Sequence, residues 1–195
     1  MFKNFSTFVK LAILLLFFQA CYSNPLKRVT LADANAPKWV LKEGDIYHDS
    51  SEKIFYGVGS ASGINNFSLQ RIASDDRARN NLAKGFEFYT KSLTKNYMAS
   101  TTTGDFKNNL EEQAIDVVIK TITSATLKGV KIVDHWEHPY RNELYSLAKL
   151  DIQTFKQNLN QSKQLNKILR KDIGERADKL YDELEKEILK KEEPR

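Results

Sequence analysis

From Lys53 the chain runs KIFYGVG, with Ile54, Tyr56 and Val58 on one side of an extended segment and Phe55 and Gly57 on the other. Apolar side chains on both sides predict a strand at least partly covered on two faces. Gly57, Gly59 and Gly63 then mark a turn or a close backbone approach. From about Phe67 the period lengthens. Ala78, Leu82, Phe86, Tyr89, Leu93 and Tyr97 recur every three or four residues and draw one apolar stripe down a helix. Thr101 to Gly104 interrupts it. A second helix is expected from about Asp105 as N-cap, ending before Gly129, with Leu110, Ala114, Val117 or Val118, and Thr121 to Ile122 turned inward.

Val130 to His138 alternates. Val130, Ile132, Asp134, Trp136 and His138 fall on one face, and Lys131, Val133, His135 and Glu137 on the other. Pro139 to Asn142 supplies turn residues, and Glu143 to Leu150 alternates again, so the two segments read as a hairpin. From Asp151 onward Ile152, Phe155, Leu159, Leu165, Leu169, Ile173, Ala177, Leu180, Leu184 and Ile188 lie along one line, with Ser162 filling the single gap. That spacing is the 3.6 period of a straight helix, about 60 Å long if unbroken. A helix of that reach is longer than the domain needs, so the end beyond Gly174 is expected to project or to meet a partner.

The fold class is therefore α+β: a small antiparallel sheet of about three strands, two helices packed on one face, and a long C-terminal amphipathic helix. Its parts are a leader over 1–20, a polar tether over 21–36, the α+β domain over 37–155 and a charged helical tail over 156–195.

The leader changes the picture of where the chain resides. Met1 to Ala20 holds Lys3 and Lys10, no acid, and the uninterrupted apolar run Leu11 to Phe18, the layout of a secretory signal. That run rises only about 12 Å, too short for the ~30 Å hydrocarbon core. Cys21 is the chain's one cysteine, which excludes an intramolecular disulfide and a cysteine-built zinc site. Ala20-Cys21 at the exit of the run resembles the bacterial lipoprotein signal, in which the thiol is alkylated by a diacylglycerol and the cysteine becomes the new N-terminus; Phe18 and Gln19 depart from the residues usual there. That resemblance implies a lipid bilayer partner through acylated Cys21. Tyr22 and Ser23 in place of an Asp imply the outer membrane. Two or three acyl chains suffice for stable anchoring, where one does not.

Loss of the two leader lysines lowers the net charge from +5 to +3, and acids and bases are mixed along the tail as on a solvated helix face. With no basic run interleaved with stacking aromatics, no nucleic-acid partner is expected.

The Pro37 and Trp39 opening, Tyr56-Gly57-Val58-Gly59-Ser60-Ala61, Ala73, Ala78-Arg79, Leu82-Ala83, Leu127, Gly129-Val130, Trp136 and the Tyr145 to Asp151 strand end occur in an order and spacing that resembles the LPP-20 type of bacterial outer-membrane lipoprotein. The domain of that family is also found in a flagellar basal-body-associated protein. The resemblance covers roughly residues 37 to 155. It implies a small antiparallel sheet with helices on one side and no established enzymatic activity.

Candidate chemistry is sparse. Gly57 to Gly63 follows a strand and precedes a helix, but its third glycine falls one residue late for a dinucleotide loop and no βαβ unit follows, so close helix packing explains it better. Asp134-His135-Trp136-Glu137-His138 gathers two of the three histidines. Alternation puts His135 with Glu137 and Asp134 with His138, so the two rings cannot share one metal. Asp75, Asp76, Arg77 and Arg79 read as a solvated charged band. No catalytic residue, metal or cofactor is expected. The function expected is a non-enzymatic, lipid-anchored envelope module that binds an unidentified envelope protein, with Trp136, Leu180, Leu184 and Ile188 as the candidate surface and self-association through the C-terminal helix as a further option. The alternative is a periplasmic metal-binding protein or hydrolase using the His135 to His138 cluster.

Overall fold

The computed structural model describes residues 30, 35–41, 53–101 and 108–192, without the side chains of 100, 101, 108–112 and 187–192. The leader, Cys21, nearly all of the tether, the expected N-cap Asp105, and the side chains of Leu110 and Ile188 lie outside the described residues.

Strand β1 (Ile54–Ser62) leads into α1 (Phe67–Thr101); then come α2 (Asn108–Leu127), the hairpin β2 (Lys131–Glu137) and β3 (Glu143–Asp151), α3 (Ile152–Gln161) and α4 (Lys167–Glu192). All belong to the unit Leu31–Arg195. The sheet order is β1-β3-β2 and both pairings are antiparallel. β3 is central and its residues are buried almost end to end, as a strand covered on both faces requires.

Helix α1 lies on one face of the sheet. Its whole apolar stripe, Ala78, Leu82, Phe86, Tyr89, Leu93 and Tyr97, is buried as its spacing predicts. Asn66 caps its start, accepting the Leu69 amide at 3.1 Å. The approach to β1 is close because of two glycines. A Cβ on Gly57 would stand 2.5 Å from the Leu82 amide nitrogen, and one on Gly59 would stand 2.6 Å from the Arg77 carbonyl carbon. Of the other expected helix on this face, the position differs: α2 packs against α1 and α3 rather than on the strands. Its inner residues are Ile115, Val118, Ile119 and Ile122, while Ala114, Val117 and Thr121 face solvent.

Phe55 on β1 sits at the centre of an aromatic core, with its ring 5.2 Å from Phe86, 5.0 Å from Tyr89 and 5.3 Å from Tyr181. Such tilted and edge contacts add stabilisation beyond the buried area.

The expected single tail helix is two helices. Ser162 closes α3 by donating its amide to Leu159 O, and Asn166 opens α4 by accepting the Leu169 amide at 2.9 Å. α4 then folds back. Ile173, Ala177, Leu180 and Tyr181 join the core, and Leu184 lies against it. The Tyr89 hydroxyl donates to Ala177 O at 2.6 Å and the Tyr181 hydroxyl to Ile54 O at 2.9 Å. Lys53 at the mouth of β1 pairs with Asp182 at 2.7 Å, and Lys156 on α3 with Asp178 at 2.6 Å. The expectation of a tail projecting beyond Gly174 is overturned through Tyr181, because burying this stripe against Phe55 and Phe155 outweighs extending it into water.

Candidate functional site

Two groups of polar and aromatic side chains stand on opposite faces of the β2–β3 hairpin. They are separated by an irregularity that period counting does not see. β2 pairs Ile132 with Ala148 and then Asp134 with Leu147, so the ladder bulges at Val133. Beyond the bulge the alternation is reset. Ile132 shares the helix-facing side with His135 and Glu137, whereas Asp134 and Trp136 face outward; the expected grouping of Ile132 with Asp134 and Trp136 is corrected.

On the helix-facing side, three elements converge on one carboxylate oxygen. Asp75 Oδ1 on α1 accepts the Ser146 hydroxyl of β3 at 2.7 Å and lies 2.7 Å from His135 Nε2 of β2. The Ser74 and Ser146 hydroxyl oxygens are 2.7 Å apart. Both serines are fully buried. The solvated band expected around Asp75 is only half solvated. Asp76 and Arg79 form an exposed pair, but Arg77 reaches Ser60 O on β1 while Asp75 turns to the other side of the helix. Asp75 lies sixty positions from His135, and no local signal joins them. The order of the groups is not that of a serine nucleophile, since the carboxylate stands between serine and imidazole and, among the described residues, no hydroxyl hydrogen-bonds the imidazole. The arrangement clamps α1 to the hairpin.

The outer face holds a second, smaller core of Trp39, Val40, Val58, Tyr145 and Leu147, with Tyr56 and Trp136 half-buried against it. Trp39 Nε1–H donates to Asp134 Oδ2 at 3.0 Å, so the segment before β1 is fastened across the sheet. The Trp136 ring lies 5.5 Å from Tyr145 and 5.5 Å from His138. His138 is 2% exposed, its Nδ1 accepts the Tyr140 amide at 3.1 Å, and among the described residues nothing hydrogen-bonds its Nε2. The two histidines thus occupy opposite faces, as alternation predicts.

Of the candidate surface residues, Trp136 is half-buried on this outer face, but Leu180 is in the core and Leu184 is packed against it. These two present no continuous tail surface. A cleft of about 240 Å³ runs between α1 and α2 beside Lys91, Asp116 and Lys120. Its threonine hydroxyls are spent on their own helices, Thr94 on Thr90 O and Thr123 on Ile119 O, and Asp116 is paired with Lys120 at 2.6 Å.

The family model described as LPP20 lipoprotein matches residues 37–151. No curated protein matches the chain.

Proposed function

The chain belongs to the LPP20 lipoprotein family, and from that premise we propose that it is a non-enzymatic module of the bacterial envelope, fastened to the outer membrane by acyl chains on Cys21 and binding another envelope protein. The observation that carries this reading is the placement of the family domain. It opens at residue 37, a short polar stretch beyond the chain's one cysteine, which itself follows an apolar leader. No described helix is long and apolar enough to cross a membrane, and a tether of acyl chains needs none. The outer sheet face around Trp136, opposite the face that α1 covers, is the surface proposed to meet the partner.

The test has two parts. The intact mass of the N-terminal peptide after export is expected to show Cys21 as the first residue with acyl chains attached, and Cys21→Ser is expected to move the protein to the soluble periplasmic fraction. Membrane retention of that variant would refute the anchor. A photoreactive residue in place of Trp136 is expected to give one discrete crosslinked envelope protein in cells. Absence of any adduct, with the protein folded, would refute the partner-binding role.

A further inference from the structure

The buried His138 ring lies on the outer face of the hairpin, apart from the Asp75 clamp, with one nitrogen bonded and the other buried. Nδ1 accepts the Tyr140 amide, so the ring is neutral with its proton on Nε2. That Nε2–H is buried with no partner among the described residues, and an unpaired buried donor is costly. The turn is held otherwise by backbone bonds: His138 N–H to Glu143 O at 2.9 Å, Glu143 N–H to Arg141 O at 2.8 Å, and Arg141 N–H to His138 O at 3.3 Å.

We propose that His138 is a proton-operated latch on the β2–β3 turn. A second proton can add only at Nδ1, the atom that accepts the Tyr140 amide. Protonation then sets donor against donor at that bond, and it leaves a cation with two N–H groups and no acceptor among the described residues in a nearly dry site. Among the described residues no acceptor reaches the ring to offset that charge, and the aromatic rings beside it offer only a modest cation–π attraction. Trp136 of β2 and Tyr140 of the turn present rings at 5.5 and 6.2 Å, and Tyr145 of β3 stands behind Trp136. Among the neighbouring charges, Glu137 falls on the helix-facing side opposite Leu144, Asp134 already holds Trp39, and neither Arg141 nor Glu143 hydrogen-bonds the ring through its side chain. The charged ring therefore swings to solvent. It takes the Tyr140 amide out of its bond and uncovers the edge of Trp136, while the Asp75 clamp on the other face keeps the hairpin in the sheet.

Amide hydrogen exchange on the whole exported chain in detergent, compared at about pH 7.5 and about pH 5 after correction for intrinsic rates, tests the latch. Protection of the Tyr140 amide is expected to fall by about tenfold or more on acidification while the β3 amides stay protected. In His138→Asn, whose side-chain oxygen supplies an acceptor that does not titrate, the Tyr140 amide should be equally protected at both pH values. His135→Asn should behave like the parent at Tyr140. No acid loss of protection in the parent, or the same loss in His138→Asn, overturns the proposal. The tautomer offers a check that does not depend on any variant folding. Imidazole nitrogen shifts at neutral pH are expected to show the proton on Nε2 of His138, and a proton on Nδ1 would overturn the latch.

Discussion

At the scale of single residues, this fold depends on what β1 lacks. Gly59 lies against α1 so closely that a methyl there collides with the helix backbone at Ala78 and Arg77, which has no flexible end to yield. Gly59→Ala is expected to destabilise by about 3 kcal/mol or more, by prising α1 off the sheet. Gly63→Ala is the contrast. That site is open but has φ +74, so only left-handed strain applies, about 1 kcal/mol. Chemical denaturation of the two variants reads the difference, and equal losses would contradict the packing account. Tyr89 adds a dependence on pH. Burial holds its phenol well above the usual range, and the Asp178 carboxylate acts in the same direction. The unfolded chain's phenol ionises near pH ~10, so above that the unfolded state sheds a proton that the native state keeps, and stability falls as pH rises. Below it the contribution is complete. Tyr89→Phe is expected to lose about 1 kcal/mol at neutral pH with its bond to Ala177 O, and to show a shallower alkaline decline. A parallel decline in both proteins would refute the assignment.

Among the elements, α1 is legible in the residue pattern alone, because its stripe from Ala78 to Tyr97 runs unbroken and every member is buried. The tail is legible in its stripe but not in its break. All its stripe residues through Leu184 are buried or half-buried, yet the chain turns back between Ser162 and Asn166. Residues 162–166 keep the apolar spacing in phase across the break, so periodicity reports one helix where caps make two. Asn166 is the signal that marks the second start, an N-cap residue followed by a helical run. Two consequences belong to α4. A chain ending at Lys163 lacks Ile173, Ala177, Leu180 and Tyr181 and leaves Phe55 and Phe155 bare, so its cooperative thermal transition is expected to disappear. A projecting tail would leave that transition in place. Gly174 lies inside α4, and a Cβ there would meet Leu159 Cδ2 at 3.8 Å, an ordinary contact. Gly174→Ala is therefore expected to stabilise by about 0.5–1 kcal/mol, and a lower denaturation midpoint would show that α3 and α4 approach more tightly than this.

For the molecule as a whole, the sheet is a partition between two unequal cores. β3 contributes Leu144, Ala148 and Leu150 to the α1 side, and Tyr145 and Leu147 to the outer side. What the sequence hides lies across this partition. The bulge at Val133, the Asp75 clamp and the Trp39–Asp134 bond each depend on residues far apart in the chain, and nothing in local spacing encodes which face meets which. The outer core depends on a segment that precedes β1, since Trp39 and the fully buried Val40 supply much of its apolar surface. A chain beginning at Ala36 is therefore expected to unfold at the same denaturant midpoint as one beginning at Cys21. One beginning at Lys42 loses both side chains together with the Trp39 bond to Asp134, a change comparable with removing a buried Trp, about 3–5 kcal/mol. If the two unfold alike, the segment lies loosely on the sheet and the outer face is open along its length. If the shorter one is destabilised, any pull arriving through residues 22–36 is borne first by the Trp39 fastening, at the centre of the face proposed for partner binding.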